Sequence, residues 1–556
     1  MNRHARLTAL LALLAFLAIS CSGGPPIGPG DVTARKAMVA SAHPAATAAG
    51  IEILRQGGNA VDAAVAVAFA LSMAEPNATG LGGGGFMIVR MAGAPPVMID
   101  YREAAPAGAS AERYYAEGVD FAARTAVGPD AVGVPGLVAG AALALEKYGT
   151  MSLAEVLAPA IRLCRKGITV SPKLNGMIVD EMEKIGKFPA TAAIYLPDGL
   201  PPEPGSALRN EDLAVTLERI AAAGPSAFYE GPVAEAIAAE LGRLSGVLGV
   251  NDLKAYRAKL REPVKGSYRG WEIVSAAPPT GGGTHLIELL NIVEGFDVKG
   301  MGRGSARLLH VLAEAMKMTF ADKAASSGDP DSFAVPVGML TDKAYARNLG
   351  RRIREGQARF DYAPAALVVP ESESTSHLSV ADEKGNVVAL TQSINSFFGS
   401  GIIAPGTGFL LNNHLADFDD QPGGPNAIGP GKRPASSIAP TVVLRNGKPV
   451  LVLGSPGAAR IVSALAQIII NIVDFGMGLD EAVEAPRIHC QTKTLDLEGR
   501  IPADVVASLQ SWGHAVKLYP DWDKYFGGAQ AILIDAKNGK LVGAADSRRD
   551  GFAAGY

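Results

Sequence analysis

The stretch Ser376-His377-Leu378-Ser379-Val380-Ala381, then Asp382-Glu383-Lys384-Gly385-Asn386, then Val387-Val388-Ala389-Leu390-Thr391-Gln392 decides the fold. Two runs of strand formers flank a polar turn that carries a glycine, which is a hairpin signal. The signal recurs downstream. Thr441 to Leu444 and Val450 to Leu453 flank Arg445-Asn446-Gly447-Lys448, and Gln530 to Ile534 and Leu541 to Ala544 flank Lys537-Asn538-Gly539-Lys540. Between these hairpins Gly454-Ser455-Pro456-Gly457 opens an apolar helix, Ala459 to Val473. Antiparallel hairpins interleaved with apolar helices predict an α+β fold, sheets covered by helices.

Outward from that core, the rest of the chain reads mainly as helix. Pro44 to Gln56 stops at Gly57-Gly58, and Asn59 caps Ala60 to Met73. Leu153 to Lys166, Asn210 to Ala223, Val233 to Leu244, His285 to Val293 and Ala306 to Lys323 carry helical periodicity. Gly80-Leu81-Gly82-Gly83-Gly84-Gly85 precedes the strand Phe86 to Val89. It matches G-x-G-x-x-G, but the order is helix, glycines, strand, the reverse of a dinucleotide fold. It reads instead as a place where backbones approach closely. The chain has 65 glycines in 556 residues, above the usual ~7%.

Composition excludes several classes. Lys+Arg 51 against Asp+Glu 55 gives a net charge of -4, with no basic excess for nucleic acid. Three cysteines exclude a disulfide scaffold and a four-cysteine zinc site. There is no P-loop, no G-x-S-x-G, no H-E-x-x-H and no H-x₃-H. Each histidine therefore reads as packed or surface, and no metal or cofactor is expected. At the N-terminus Arg3 and Arg6 precede an apolar run, Thr8 to Ser20, shorter than the ~20 residues of a bilayer span. Residues 1–20 read as a signal peptide, Cys21 as the lipidated cysteine after an Ala18-Ile19-Ser20 lipobox, and residues 21–36 as a tether. The expected location is the bacterial periplasm or cell envelope, with membrane contact only through that lipid.

Several further runs carry a resemblance. They are Gly57 to Ala64, Gly82-Gly83-Gly84-Gly85-Phe86, Asp100-Tyr101-Arg102-Glu103 and Gly133-Val134-Pro135-Gly136. Thr375-Ser376-His377, Arg433-Pro434-Ala435-Ser436-Ser437, Gly454-Ser455-Pro456-Gly457 and Asp546 to Tyr556 complete the set. In this order, from about Ala37 to Tyr556, the chain resembles the γ-glutamyltranspeptidases. That resemblance implies an N-terminal nucleophile hydrolase, an αββα sandwich of two stacked antiparallel sheets covered by helices. It also implies a precursor that cuts itself between Ser374 and Thr375 into a large subunit, residues 37–374, and a small subunit, residues 375–556, which stay together as one domain.

The resemblance assigns roles residue by residue. Thr375 is the nucleophile. Alone, a threonine at a strand start is a structural residue, and Ser374, Ser376 and Thr391 are rival hydroxyls. Once freed, its α-amine, with a reference pKa of about 7.7–8.0, can act as the base its hydroxyl needs. Ser376 stands where many relatives carry a second threonine. Ser393 is expected to hydrogen-bond the nucleophile, and His377 reads as strand packing. Arg102 matches the group that grips the substrate α-carboxylate; its plain alternative is a surface ion pair with Glu103. Ser436 and Ser437 match carboxylate donors, and Asn395 and Asp417 hold the α-ammonium. His414 stands where relatives place Gln or Glu, which predicts activity falling as pH drops through about 6.5, the reference histidine value. Gly457 and Ala458 N–H groups are expected to form the oxyanion hole; many relatives have glycine at 458, and alanine suits a negative φ. The segment Asp419 to Lys432 is short, which predicts an open site.

The expected activity is an exported γ-glutamyltranspeptidase/glutathione hydrolase passing a γ-glutamyl group to water or to an amino acid or peptide. The alternatives are an acylase for a cephalosporin or glutaryl amide, and an inactive γ-glutamyl-binding lipoprotein.

Overall fold

The computed structural model describes residues 30–362, 374–535 and 538–556. The proposed signal segment and Cys21 lie outside the described residues.

The decisive hairpin forms as strands Ser376–Ala381 and Val387–Ser393, paired antiparallel with Ser376 opposite Gln392 and Ala381 opposite Val387. It sits at the centre of a seven-stranded sheet. In order, the strands are Phe552–Gly555, Met38–Ser41, Ser376–Ala381, Val387–Ser393, Gly84–Arg90, Val97–Tyr101 and Lys259–Arg261. The other two hairpins build a second seven-stranded sheet with Val32–Ala34, Trp271–Ser275 and Val264–Tyr268. Every pairing within these two sheets is antiparallel.

Period-2 alternation stacks the layers. Leu378, Val380, Val388 and Leu390 face one core, shared with helices Pro44–Arg55 and Ala60–Ala74. Ala381, Val387 and Ala389 face the second core, with Val442, Val452 and Ile532 of the other sheet. Helices Gly282–Glu294 and Arg460–Val473 cover that sheet's far side. The result is helix, sheet, sheet, helix.

Helix Ala60–Ala74 is buried along its whole length, so alanines suit it. Its start is fixed by a capping box: Asn59 accepts from the Val61 and Asp62 amides, and Asp62 accepts from the Asn59 amide. The glycines after it allow contact that a side chain would forbid. A Cβ on Gly83 would stand 2.1 Å from the Ser393 carbonyl oxygen, and one on Gly85 2.2 Å from that of Thr391. The glycine run thus presses the strand Gly84–Arg90 against the hairpin. Cys164 and Cys490 are free and buried, and burial pushes both thiols up to about 12.

Candidate active site

Ser374 and Thr375 enter the hairpin from its open end, and both are buried in the uncut chain. Thr375 Oγ1 hydrogen-bonds the Ser374 carbonyl oxygen and lies 3.3 Å from Ser393 Oγ. Ser393, directly across the hairpin mouth, donates to the same Ser374 carbonyl at 3.1 Å and accepts from the Asn395 amide at 2.8 Å. Ser374 Oγ in turn donates to the Asn395 carbonyl. The threonine hydroxyl therefore sits on the peptide group preceding it, and a second hydroxyl polarises that group. Asn395 has φ 78°, and its side-chain Nδ2 donates to the Asn413 carbonyl at 3.1 Å.

A cleft of roughly 80 Å³ opens here, and its walls collect most of the residues that the sequence points to. Ser374, Thr375, Ser393, Asn395, His414, Asp417, Ser436, Ser437 and Ala458 all line it. The paired serines are seated by the second glycine loop. The Gly281 amide donates to the Ser436 carbonyl at 2.9 Å, and a Cβ on Gly282 would meet the Ser437 carbonyl oxygen at 2.3 Å.

Two expectations need correction. Arg102 is neither on the cleft wall nor at the surface. It is fully buried, hydrogen-bonded to Asp417, and donates to the carbonyls of Pro434 at 3.2 Å and Ala435 at 3.0 Å. Glu103 lies farther off, 3.5 Å from Nη1. The guanidinium thus holds the backbone just before Ser436, and the uncut chain pairs the two groups expected to grip opposite charges. Ala458 does not have a negative φ. It stands at +53°, after Gly457 at +122°, so alanine occupies a left-handed position that glycine adopts more cheaply. Gly457 is not on the described cleft wall; Ala458 is. His414 lines the cleft with its Nδ1 turned toward Glu103. Its Nδ1 lies 2.8 Å from Glu103 Oε1, and both residues are buried.

Ser376 points away from the cleft and donates to Glu75. Burial pushes the Glu75 carboxyl up to about 7, against the pull of Arg549 and of the Ser376 hydroxyl. Arg549 lies 3.9 Å from Glu75 and donates to the Thr375 carbonyl at 3.3 Å. This back face of the nucleophile strand was not anticipated from sequence. The only trace of Glu75 there is an acid closing an otherwise apolar helix. Lys323, Asp419 and Gln491 also line the cleft unannounced. His377 is fully buried between the sheets, its ring nitrogens 2.7 Å from Thr391 Oγ1 and 3.0 Å from Ser379 Oγ, and burial lowers it to about 3. The short segment after Asp417 folds back on the cleft: Asn426 donates to the Asp417 carbonyl at 2.7 Å and accepts from the Ala435 amide at 2.8 Å.

The same architecture is found in solved structures. A cephalosporin acylase from Bacillus halodurans superposes with a TM-score of 0.88 at 31% identity, covering 96% of this chain and 98% of that one. Stacked antiparallel sheets with a hydroxyl seated on its own preceding carbonyl define the class: an N-terminal nucleophile hydrolase. The family model for gamma-glutamyltranspeptidase matches residues 46–556, and the chain belongs to that family. It is 40% identical to the glutathione hydrolase proenzyme of Escherichia coli (strain K12), over 100% of this chain and 99% of that one. It is 42% identical to the acylase ACY 1 proenzyme of Pseudomonas sp. (strain V22), over 93% of each.

Proposed function

We propose that this chain is a self-cleaving γ-glutamyltransferase and glutathione hydrolase, and that Thr375 performs both the cleavage and the turnover. The seating of Thr375 Oγ1 on the Ser374 carbonyl, with Ser393 on the same oxygen, carries the proposal. In cleavage the hydroxyl loses its proton and bonds to the Ser374 carbonyl carbon. The C–N bond breaks, and the Thr375 nitrogen takes a proton. Water then splits the ester, leaving a Ser374 carboxylate and a free Thr375 amine. That amine is the base for turnover. The hydroxyl attacks the γ-carbonyl of the donor, the leaving amine takes the proton, and water or an acceptor amine releases the γ-glutamyl group.

Asp417 favours a donor that carries an α-ammonium, because a half-buried carboxylate at the cleft is best satisfied by a cation. Arg102 fills that place in the uncut chain. On this reading the donor ammonium displaces Arg102 from Asp417, and the freed fork binds the donor α-carboxylate. The Ala458 amide, at the entry of helix Arg460–Val473, faces the oxyanion. An exported, lipid-anchored protein at the bacterial envelope completes the reading, on the N-terminal sequence alone.

The acylase ACY 1 relatives, at least as similar as the glutathione hydrolases, support one second reading: an acylase for another amide. Turnover of γ-glutamyl-p-nitroanilide against glutaryl-p-nitroanilide decides. The γ-glutamyl compound is expected to be faster, and Asp417→Ala to erase the preference mainly through KM. A wild-type preference for the glutaryl compound overturns the transferase reading.

A further inference from the structure

Away from the cleft, helix Ala306–Ser326 meets the turn that leads into strand Ala515–Tyr519. His310 and Glu314 are four residues apart on this helix and share a face. His514 closes against them. One donor atom from each of the three lies within 4.8 Å of the other two, and the residues are 1%, 0% and 4% exposed.

The hydrogen bonds set what each atom can offer. His310 Nε2 lies 2.9 Å from the Arg354 carbonyl, which only accepts, so Nε2 carries the proton and Nδ1 presents a lone pair. That lone pair faces His514 Nε2 at 2.8 Å. Glu314 Oε1 accepts from Lys317 Nζ at 2.6 Å and from the Arg359 amide at 3.3 Å. Glu314 Oε2 and His514 Nδ1 are buried and lack hydrogen-bond partners. Burial disfavours the charged form of both imidazoles. Two neutral imidazoles and a carboxylate are the donor set of a Zn²⁺ centre. A backbone carbonyl on the far ring nitrogen is what orients a metal-bound histidine.

We propose that His310 Nδ1, His514 Nε2 and Glu314 Oε2 bind a divalent first-row metal ion of the Zn²⁺ type. Binding replaces the bond between the imidazoles: the His514 proton leaves Nε2 for the unpartnered Nδ1, and Nε2 turns its lone pair to the metal. Lys317 stays on Oε1. His310 and Glu314 precede Thr375 in the chain and His514 follows it, so the ion clamps the two fragments together. That bridging role rests on cleavage before Thr375, whereas metal retention does not.

Chelator-stripped full chain, incubated with Zn²⁺ and desalted, is expected to retain one equivalent by elemental analysis. Co²⁺ in its place should give the intense visible bands of a four-coordinate site. Glu314→Gln and His514→Asn should each lose retention at least tenfold with an unchanged circular dichroism spectrum. Lys317→Met, which removes a repelling cation, should tighten binding severalfold. If His514→Asn does not fold, Glu314→Gln, nearly identical in shape, carries the test. Wild-type protein that retains no Zn²⁺, or retention unchanged in Glu314→Gln, overturns the proposal. Retention in a chain that never cleaves would uphold the metal site and remove the clamp.

Discussion

At the scale of single residues, one hydroxyl and one acid make the sharpest predictions. Ser393 shares the Ser374 carbonyl with Thr375, and a hydrogen bond to a charge-developing oxygen is worth about 1.5–3 kcal/mol. Ser393→Ala should therefore slow self-cleavage by roughly 10–100-fold, read as precursor decay on a gel, and Ser393→Thr should restore it; an unchanged rate removes Ser393 from the mechanism. Glu75 yields a pH prediction. Its carboxyl is held at about 7 against an ordinary 4.5, with Arg549, Asp550 and the Ser376 hydroxyl around it. Between those values the folded chain keeps a proton that the unfolded chain gives up. The stability from that proton is complete below about 4.5 and is lost as pH rises through about 7. Glu75→Gln should thus gain stability over wild type by roughly 3 kcal/mol between pH 5 and pH 8, measured by urea unfolding. A gap that does not change with pH would place the Glu75 proton elsewhere. Thr375 and the paired serines were legible in sequence because they stand in the motifs Thr375-Ser376-His377 and Arg433-Pro434-Ala435-Ser436-Ser437, whereas Ser393, Asn395 and Asp417 were reached only through the family resemblance. Glu75 and Glu103 were not read as partners of Ser376 and His414, because those pairings join segments far apart in the chain.

At the scale of elements, the hairpins and helices were readable almost to their ends, since period 2 and period 3.6 are local signals. Leu153–Lys166, Ser376–Ala381 and Gln530–Ile534 fall where the pattern puts them. Two exceptions stand out: the sheet strands Val264–Tyr268 and Trp271–Ser275 lie in a stretch that reads mainly as helix, and the entry of helix Arg460–Val473 has a backbone the pattern does not show. Residue type does not reveal a positive φ, and Ala458 carries one. Ala458→Gly should relieve that conformation, stabilising the chain by about 1 kcal/mol with turnover retained. Ala458→Val, β-branched in a left-handed position, should lose both cleavage and activity. An Ala458→Gly chain less stable than wild type would show that the backbone there relaxes instead. Arg102 is a related case. Its motif is plain in sequence, but its burial follows from the carbonyls of Pro434 and Ala435 folding over it.

At the scale of the whole molecule, strands from before and after Thr375 alternate. Met38–Ser41 lies between Phe552–Gly555 and Ser376–Ala381, and Val387–Ser393 lies beside Gly84–Arg90. Cutting one peptide bond removes none of these ladders. The two fragments should co-elute on gel filtration at neutral pH and separate only in denaturant; separation without it would contradict the interleaved sheet. All of this turns on where the chain is cut. Edman sequencing or intact mass of the smaller fragment from active protein measures that directly. The expected N-terminus is Thr375-Ser376-His377, and none is expected from a Thr375→Ala chain, which should remain whole and inactive. A fully active preparation that runs as one intact chain, or a fragment beginning at another residue, would contradict it.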